Sequence, residues 1–179
     1  LAELLARLAT LGSPARQLDE TALERLCEAP LRRAAALVEP ALAARLHDLG
    51  ARLHARLRGV PVPLVPRHGD FKLENVFGEA SDPRSLRLLD WELWTPQGLP
   101  LLDAWHLVAS RRARLAGCSL GAAMQRWLLA DGLAGWERGI VERLSHDLDP
   151  RYVELSPWLY WLDRLGPVVV RQRVLLAAD

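Results

Sequence analysis

Three prolines, Pro61, Pro63 and Pro66, follow Gly59 in a chain otherwise patterned for helices. Each proline lacks a backbone donor and its ring clashes with a preceding helical turn, so no helix can run through this stretch. Before the break, Leu42, Leu46, Leu49, Leu53 and Leu57 recur at spacings of three and four. That spacing predicts a helix over about Pro40–Arg58 with one buried face. Earlier, residues 2–11 read as a helix, and Thr21-Ala22-Leu23-Glu24 has the spacing of a capping box at a helix start. After the break come three short strand candidates, Leu64–Arg67, Asn75–Gly78 and Leu86–Leu89, with a turn at Ser81-Asp82-Pro83. Thr95–Pro100 reads as a loop. Helical patterns then resume over Leu101–Leu115, Leu120–Ala130, Leu133–Leu148, Tyr152–Leu165 and Val168–Ala178. The expected fold class is mainly α (α+β), a helical body with a small β hairpin near its middle.

Composition removes several classes of function. The longest stretch without Asp, Glu, Lys or Arg is Leu115–Gln125, eleven residues. A membrane span needs about 20 largely apolar residues, so no membrane partner is expected. The basic and acidic residues balance at 23 to 22, which gives no footprint for nucleic acid. Cys27 and Cys118 form neither a disulfide framework nor a zinc pattern, and two free thiols without a signal peptide suggest a cytoplasmic protein. Leu1 in place of a methionine suggests a piece of a longer chain.

Rare residues converge on one window. Lys72 is the only lysine and Asn75 the only asparagine, and Phe71 and Phe77 are the only phenylalanines. The window reads His68-Gly69-Asp70-Phe71-Lys72-Leu73-Glu74-Asn75, followed by Leu89-Asp90-Trp91-Glu92. Phosphoryl transfer needs a positioned base for the attacking hydroxyl and cations on the phosphate oxygens. Magnesium favours oxygen ligands, held by one or two carboxylates and the phosphates themselves. Asp70, Asn75 and Asp90 supply such oxygens, and Lys72, two residues after Asp70, points to the same side of an extended loop.

At these residues the sequence resembles the kinase-like phosphotransferases, above all the aminoglycoside phosphotransferase and choline kinase family. That family carries His-Gly-Asp, four residues and Asn, then a hydrophobic-Asp-aromatic motif after a short hairpin. The resemblance covers about Leu42–Leu115. It implies the helical large lobe of a protein-kinase-like fold, which uses ATP and Mg2+ to phosphorylate a hydroxyl of an aminoglycoside, amino alcohol or sugar. It implies that Asp70 orients and deprotonates that hydroxyl and that Lys72 stabilises the transferred phosphoryl group. Asn75 and Asp90 would hold the metal. His68 would brace the loop, Glu92 would support the metal, and Asp103, in Gly98-Leu99-Pro100-Leu101-Leu102-Asp103, would accept backbone N–H groups of the loop. Many family members have another residue, often His, at the position of Lys72.

The family's β-rich small lobe, with its phosphate-binding lysine, has no counterpart before Lys72, where residues 1–58 read as helical. A small lobe is therefore expected in the full-length protein, and this chain alone is expected to be a poor kinase. A non-catalytic kinase-like binding domain is the alternative. A hydrolase built on His and Asp metal ligands ranks last, because only His68 lies near the carboxylates. Glu74 reads as a solvent-facing or bracing residue. His47 and His54 read as surface or boundary residues, and His106 and His146 as structural. Trp91, Trp94, Trp105, Trp158 and Trp161, with Tyr160, read chiefly as core, with an acceptor cleft as the other reading.

Overall fold

The computed structural model describes residues 1–79, 82, 84–126 and 132–165 in full, and the backbone of 166–176. Its elements are α1 (Ala2–Ala9), β1 (Arg16–Gln17), α2 (Glu20–Leu23), a π-helical turn (Glu24–Glu28), α3 (Ala29–Ala35), α4 (Pro40–Leu57), β2 (Pro61–Val62), β3 (Val65–Arg67), a 3-10 turn (Leu73–Asn75), β4 (Val76–Phe77), β5 (Arg87–Leu88), β6 (Thr95–Gly98), α5 (Leu102–Ala116), α6 (Leu120–Arg126), α7 (Gly135–Ser145) and α8 (Pro150–Leu176). Helices dominate, and the ladders are two-stranded. Among the described residues no helix is long and apolar enough to cross a membrane. The chain forms two compact units, residues 1–15 with 62–148, and 16–61 with 149–179.

The second unit is helical. Asp19 caps α2 by accepting the Ala22 N–H at 2.7 Å. The helix start expected at Thr21 therefore lies two residues upstream as a single Asp19 N-cap and not a capping box, because a carboxylate is available there to take the orphan donor. Glu39 caps α4, accepting from Ala41 and Leu42 N–H, both at 2.9 Å. Leu53 and Leu57 are buried, but Leu42 is 39% exposed, so only the C-terminal half of the leucine stripe reaches core. Gly50 sits where a Cβ would lie 3.3 Å from the Cys27 carbonyl, so its lack of a side chain lets α4 pass close to the π-helical turn. His54, placed at the boundary as expected, bonds Glu28 at 2.5 Å and Glu20 at 2.9 Å. The break expected at Gly166-Pro167 is absent: α8 is one helix. Proline clashes with the N–H and Cβ of its predecessor, and glycine, without a Cβ, escapes part of that penalty.

The first unit carries the sequence motifs. β3 pairs antiparallel with β6, Val65 opposite Gly98 and Arg67 opposite Thr95, with an irregularity between them. Thr95–Gly98 is thus a strand and not the expected loop. Pro66 and Pro96 each lack an N–H, which a two-stranded ladder tolerates at an irregular register. β4 pairs with β5, Val76 opposite Leu88. The motif loop lies between β3 and this hairpin, and not on the hairpin itself. Beneath it, Leu5 of α1, Phe71, Ala104 and Leu107 of α5, and Ile140 of α7 form one apolar cluster. Phe71 is fully buried there, which pins the middle of the loop. α6 ends its described part at Arg126, and the rest of the helix expected to Ala130 lies outside the described residues, as do Ser81 and Pro83 of the expected turn.

Candidate active site

Backbone geometry shapes the loop first. Gly69 adopts φ +85°, and a Cβ there would sit 2.4 Å from the Leu93 carbonyl oxygen. Only glycine fits that approach. The two N–H groups at the turn are both taken by one side chain: His68 N–H donates to Asp103 Oδ2 at 2.7 Å and Gly69 N–H to Oδ1 at 3.0 Å. Asp103 lies in the first turn of α5 and is buried, so the loop is fastened to a helix. His68 is fully buried. Its Nδ1 accepts the Asp70 N–H at 3.3 Å and its Nε2 donates to the Leu89 carbonyl at 2.8 Å. This pattern suits a neutral imidazole protonated on Nε2. His68 thereby ties the loop to the segment entering Asp90, and its ring lies 4.7 Å from that of Trp91.

Asp70 is the centre of the arrangement. Lys72 Nζ donates to its Oδ2 at 2.5 Å. Asn75 Nδ2 donates to its backbone oxygen at 2.9 Å and to Oδ2 at 3.2 Å. His106 Nε2 lies 2.8 Å from Oδ1. Burial pushes this carboxyl up, but hydrogen bonds from Lys72 and His106 and their charges outweigh it and hold it below the ordinary Asp value. Asp70 is therefore ionised at neutral pH.

Asn75 and Asp90 stand at the two ends of the β4–β5 hairpin. The Leu89 N–H donates to the Asn75 carbonyl at 2.9 Å, extending the ladder and setting the two ends side by side. Asp90 has φ +63°, a left-handed conformation that costs a non-glycine residue about 1–2 kcal/mol. Strain of this kind collects at functional positions. The Asp90 and Glu92 side chains are exposed. Asn75 spends its amide nitrogen on Asp70, which leaves its oxygen as the atom for a cation. Two oxygen donors of this kind fit a magnesium ion that takes its other ligands from phosphates and water. Among the described residues no three His, Cys, Asp or Glu side chains gather as a metal site, so a His-rich centre is not what this geometry offers.

Glu74 is exposed and pairs with Arg114 at 2.5 Å, a brace from loop to α5. Of the tryptophans, Trp105 is buried at 3% exposure, but Trp91 and Trp94 are 42% and 51% exposed. The core reading fails for those two, which close a turn in which the Trp94 N–H donates to the Trp91 carbonyl at 3.1 Å. Trp158 and Trp161 are half-buried beside the buried Tyr160. The residue that sequence reasoning missed is His106. The signal available was its spacing, three residues after Asp103 on one helix, which puts both on one face.

Two solved structures resemble this one. A glucosamine kinase in one crystal form matches with TM-score 0.51 and 21% identity over 99% of this chain and 50% of its own. A glucosamine kinase in complex with glucosamine, ADP and inorganic phosphate matches with TM-score 0.47 and 20% identity over 99% of this chain and 54% of its own. The chain thus spans about half the length of these proteins. No curated protein matches it. The first likeness shows a kinase-like sugar-kinase fold. The model of the phosphotransferase enzyme family matches residues 1–139, most of the chain, including every motif residue described above. With His68, Asp70, Asn75 and Asp90 set in one loop-and-hairpin frame and Asp103 fastening it from α5, the chain belongs to the phosphotransferase enzyme family.

Proposed function

We propose that this chain is the catalytic large lobe of a small-molecule kinase that moves the γ-phosphoryl group of ATP to a substrate hydroxyl. One observation carries the reading: an ionised Asp70 is held by donors on both oxygens, beside the chain's only lysine. In this reading Asp70 orients the acceptor hydroxyl and takes its proton as the new P–O bond forms and the bond to ADP breaks. Lys72, a third exposed on a flexible stem, turns from Asp70 to the transferred group. Asn75 and Asp90 would hold magnesium, which neutralises charge on the phosphate oxygens when bound. Glu92 would support that ion through water. Asp103 and His68 keep the loop in place throughout. The acceptor is an aminoglycoside, an amino alcohol or a sugar. Glucosamine is the first to try, because the matched fold is that of a glucosamine kinase. ATP use and two free cysteines suit the cytoplasm.

The nucleotide side of the site is thin. Lys72 is the only lysine in the sequence, so none is left to hold the phosphates from the opposite face. A small lobe elsewhere in the full protein would supply it, and the chain alone should bind ATP weakly and turn over slowly.

The test is thermal melting of the chain with millimolar ATP or ADP, with magnesium or with EDTA. A rise in Tm that needs magnesium and disappears in Asp90→Ala is expected. An equal rise in EDTA, or an undiminished one in the variant, would sink the metal assignment. Magnesium-dependent binding by the full-length protein without ADP formation above an Asp70→Asn blank, across the acceptor classes, would favour a binding domain.

A further inference from the structure

His106 touches the reacting centre but has no part in the chemistry set out above. It lies in the second turn of α5 and is 4% exposed. Asp103, one turn earlier, holds the loop backbone through the His68 and Gly69 N–H groups. His106 holds the Asp70 side chain through Oδ1. One face of one helix therefore fixes both the main chain and the carboxylate of the loop.

The other partners of Asp70 are less constant. Lys72 is a third exposed and is needed elsewhere once phosphate arrives. The Asn75 contact to Oδ2 is long, at 3.2 Å. A carboxylate has about four lone-pair directions, two on each oxygen. Lys72 and Asn75 take both directions on Oδ2, and His106 takes one on Oδ1. One direction on Oδ1 stays open, and Lys72 opens a second on Oδ2 when it turns to the phosphate, so His106 and the long Asn75 contact are what still hold the carboxylate.

We propose that His106 is a positioning residue, which holds Asp70 from α5 through Oδ1 so that the carboxylate faces the acceptor hydroxyl after Lys72 has turned to the phosphate. The proposal rests on the phosphotransferase reading and adds to it a residue that positions the base. Misplacing a reacting group by an ångström costs up to about a hundredfold in rate. The effect should fall on turnover and not on nucleotide binding, because His106 touches neither Asn75 nor Asp90.

The experiment measures ADP release from Mg-ATP by the full-length protein with water as the acceptor, so no unknown substrate is needed. His106→Leu removes the donor at similar volume. His106→Gln returns an N–H donor near the place of Nε2. Relative to the Asp70→Asn blank, His106→Leu should lose about 10- to 100-fold in kcat with KM for Mg-ATP within about twofold. His106→Gln should recover to within about fivefold of the parent. Imidazole 15N–1H spectra supply a second readout: in the parent, the His106 Nε2 proton should lie further downfield than in Asp70→Asn, because a carboxylate is the stronger acceptor. A His106→Leu as fast as the parent with His106→Gln slower would mean a packing role and overturn this proposal alone. His106 resonances unmoved by Asp70→Asn would do the same, even if His106→Leu failed to fold. A parent that releases no more ADP than Asp70→Asn would overturn the phosphotransferase reading, and this proposal with it.

Discussion

Asp103 spends both carboxylate oxygens on two adjacent backbone N–H groups of a buried turn. Removing it leaves two donors without partners, at about 1–3 kcal/mol each. Asp103→Ala should lower the urea midpoint by an amount corresponding to about 2–6 kcal/mol. Asp103→Asn, which keeps one acceptor, should lose less. Gly69→Ala should also destabilise, by about 1–2 kcal/mol from backbone strain alone, with the contact to the Leu93 oxygen added. Equal urea midpoints for Gly69→Ala and the parent would show that the loop has room to move. At this scale the residues of the motif were legible, because their types and spacing carry the chemistry. His106 was not. Its spacing put it on the Asp103 face of one helix, but only the fold brings Asp70 to within 2.8 Å of it.

Between α5 and α7, Arg112 donates to Glu137 twice, at 2.8 Å and 2.5 Å, and Glu137 also accepts the Ala134 N–H at 2.7 Å. The Glu137 side chain is 2% exposed. Burial pushes its carboxyl up, but the Arg112 bonds and the Ala134 N–H outweigh it and hold it below the ordinary value of 4.5. A lowered native value means that the unfolded state binds more protons as pH falls. The stability from this group is therefore complete above pH 4.5 and is lost as pH drops through the lowered value. Glu137→Gln should flatten that part of the stability profile, as measured by urea unfolding from pH 6 downward, about the range where carboxyls titrate. Arg112→Ala should cost about 3 kcal/mol, the low end for a broken buried pair because Arg112 is 19% exposed. Element types were legible where the period was long. They failed where local chemistry was ambiguous: Thr95–Gly98 became a strand only because Val65–Arg67 lies across from it. The helix start moved to Asp19 because a single carboxylate decides a cap.

The molecule divides into two compact units, each with its own apolar interior, and each is assembled from segments far apart in the chain. In the second unit Leu57 is fully buried, and Leu57→Ala should cost about 2–5 kcal/mol, seen as a lower Tm. In the first unit the cluster of Leu5, Phe71, Ala104, Leu107 and Ile140 joins residues from four separate stretches under the loop. By itself the sequence determined the helical class, the proline-marked interruption, and the identity and spacing of Asp70, Lys72, Asn75, Asp90 and Asp103. Those follow from local backbone preference and from the residue types that phosphate chemistry requires. Only the tertiary structure decided which helix grips the loop, that His106 reaches Asp70, and that Trp91 and Trp94 stay exposed while Trp105 does not. The physical reason is the same in each case. Burial and hydrogen-bond partnership are properties of pairs brought together across the fold, and the spacing along a chain does not specify its distant partners.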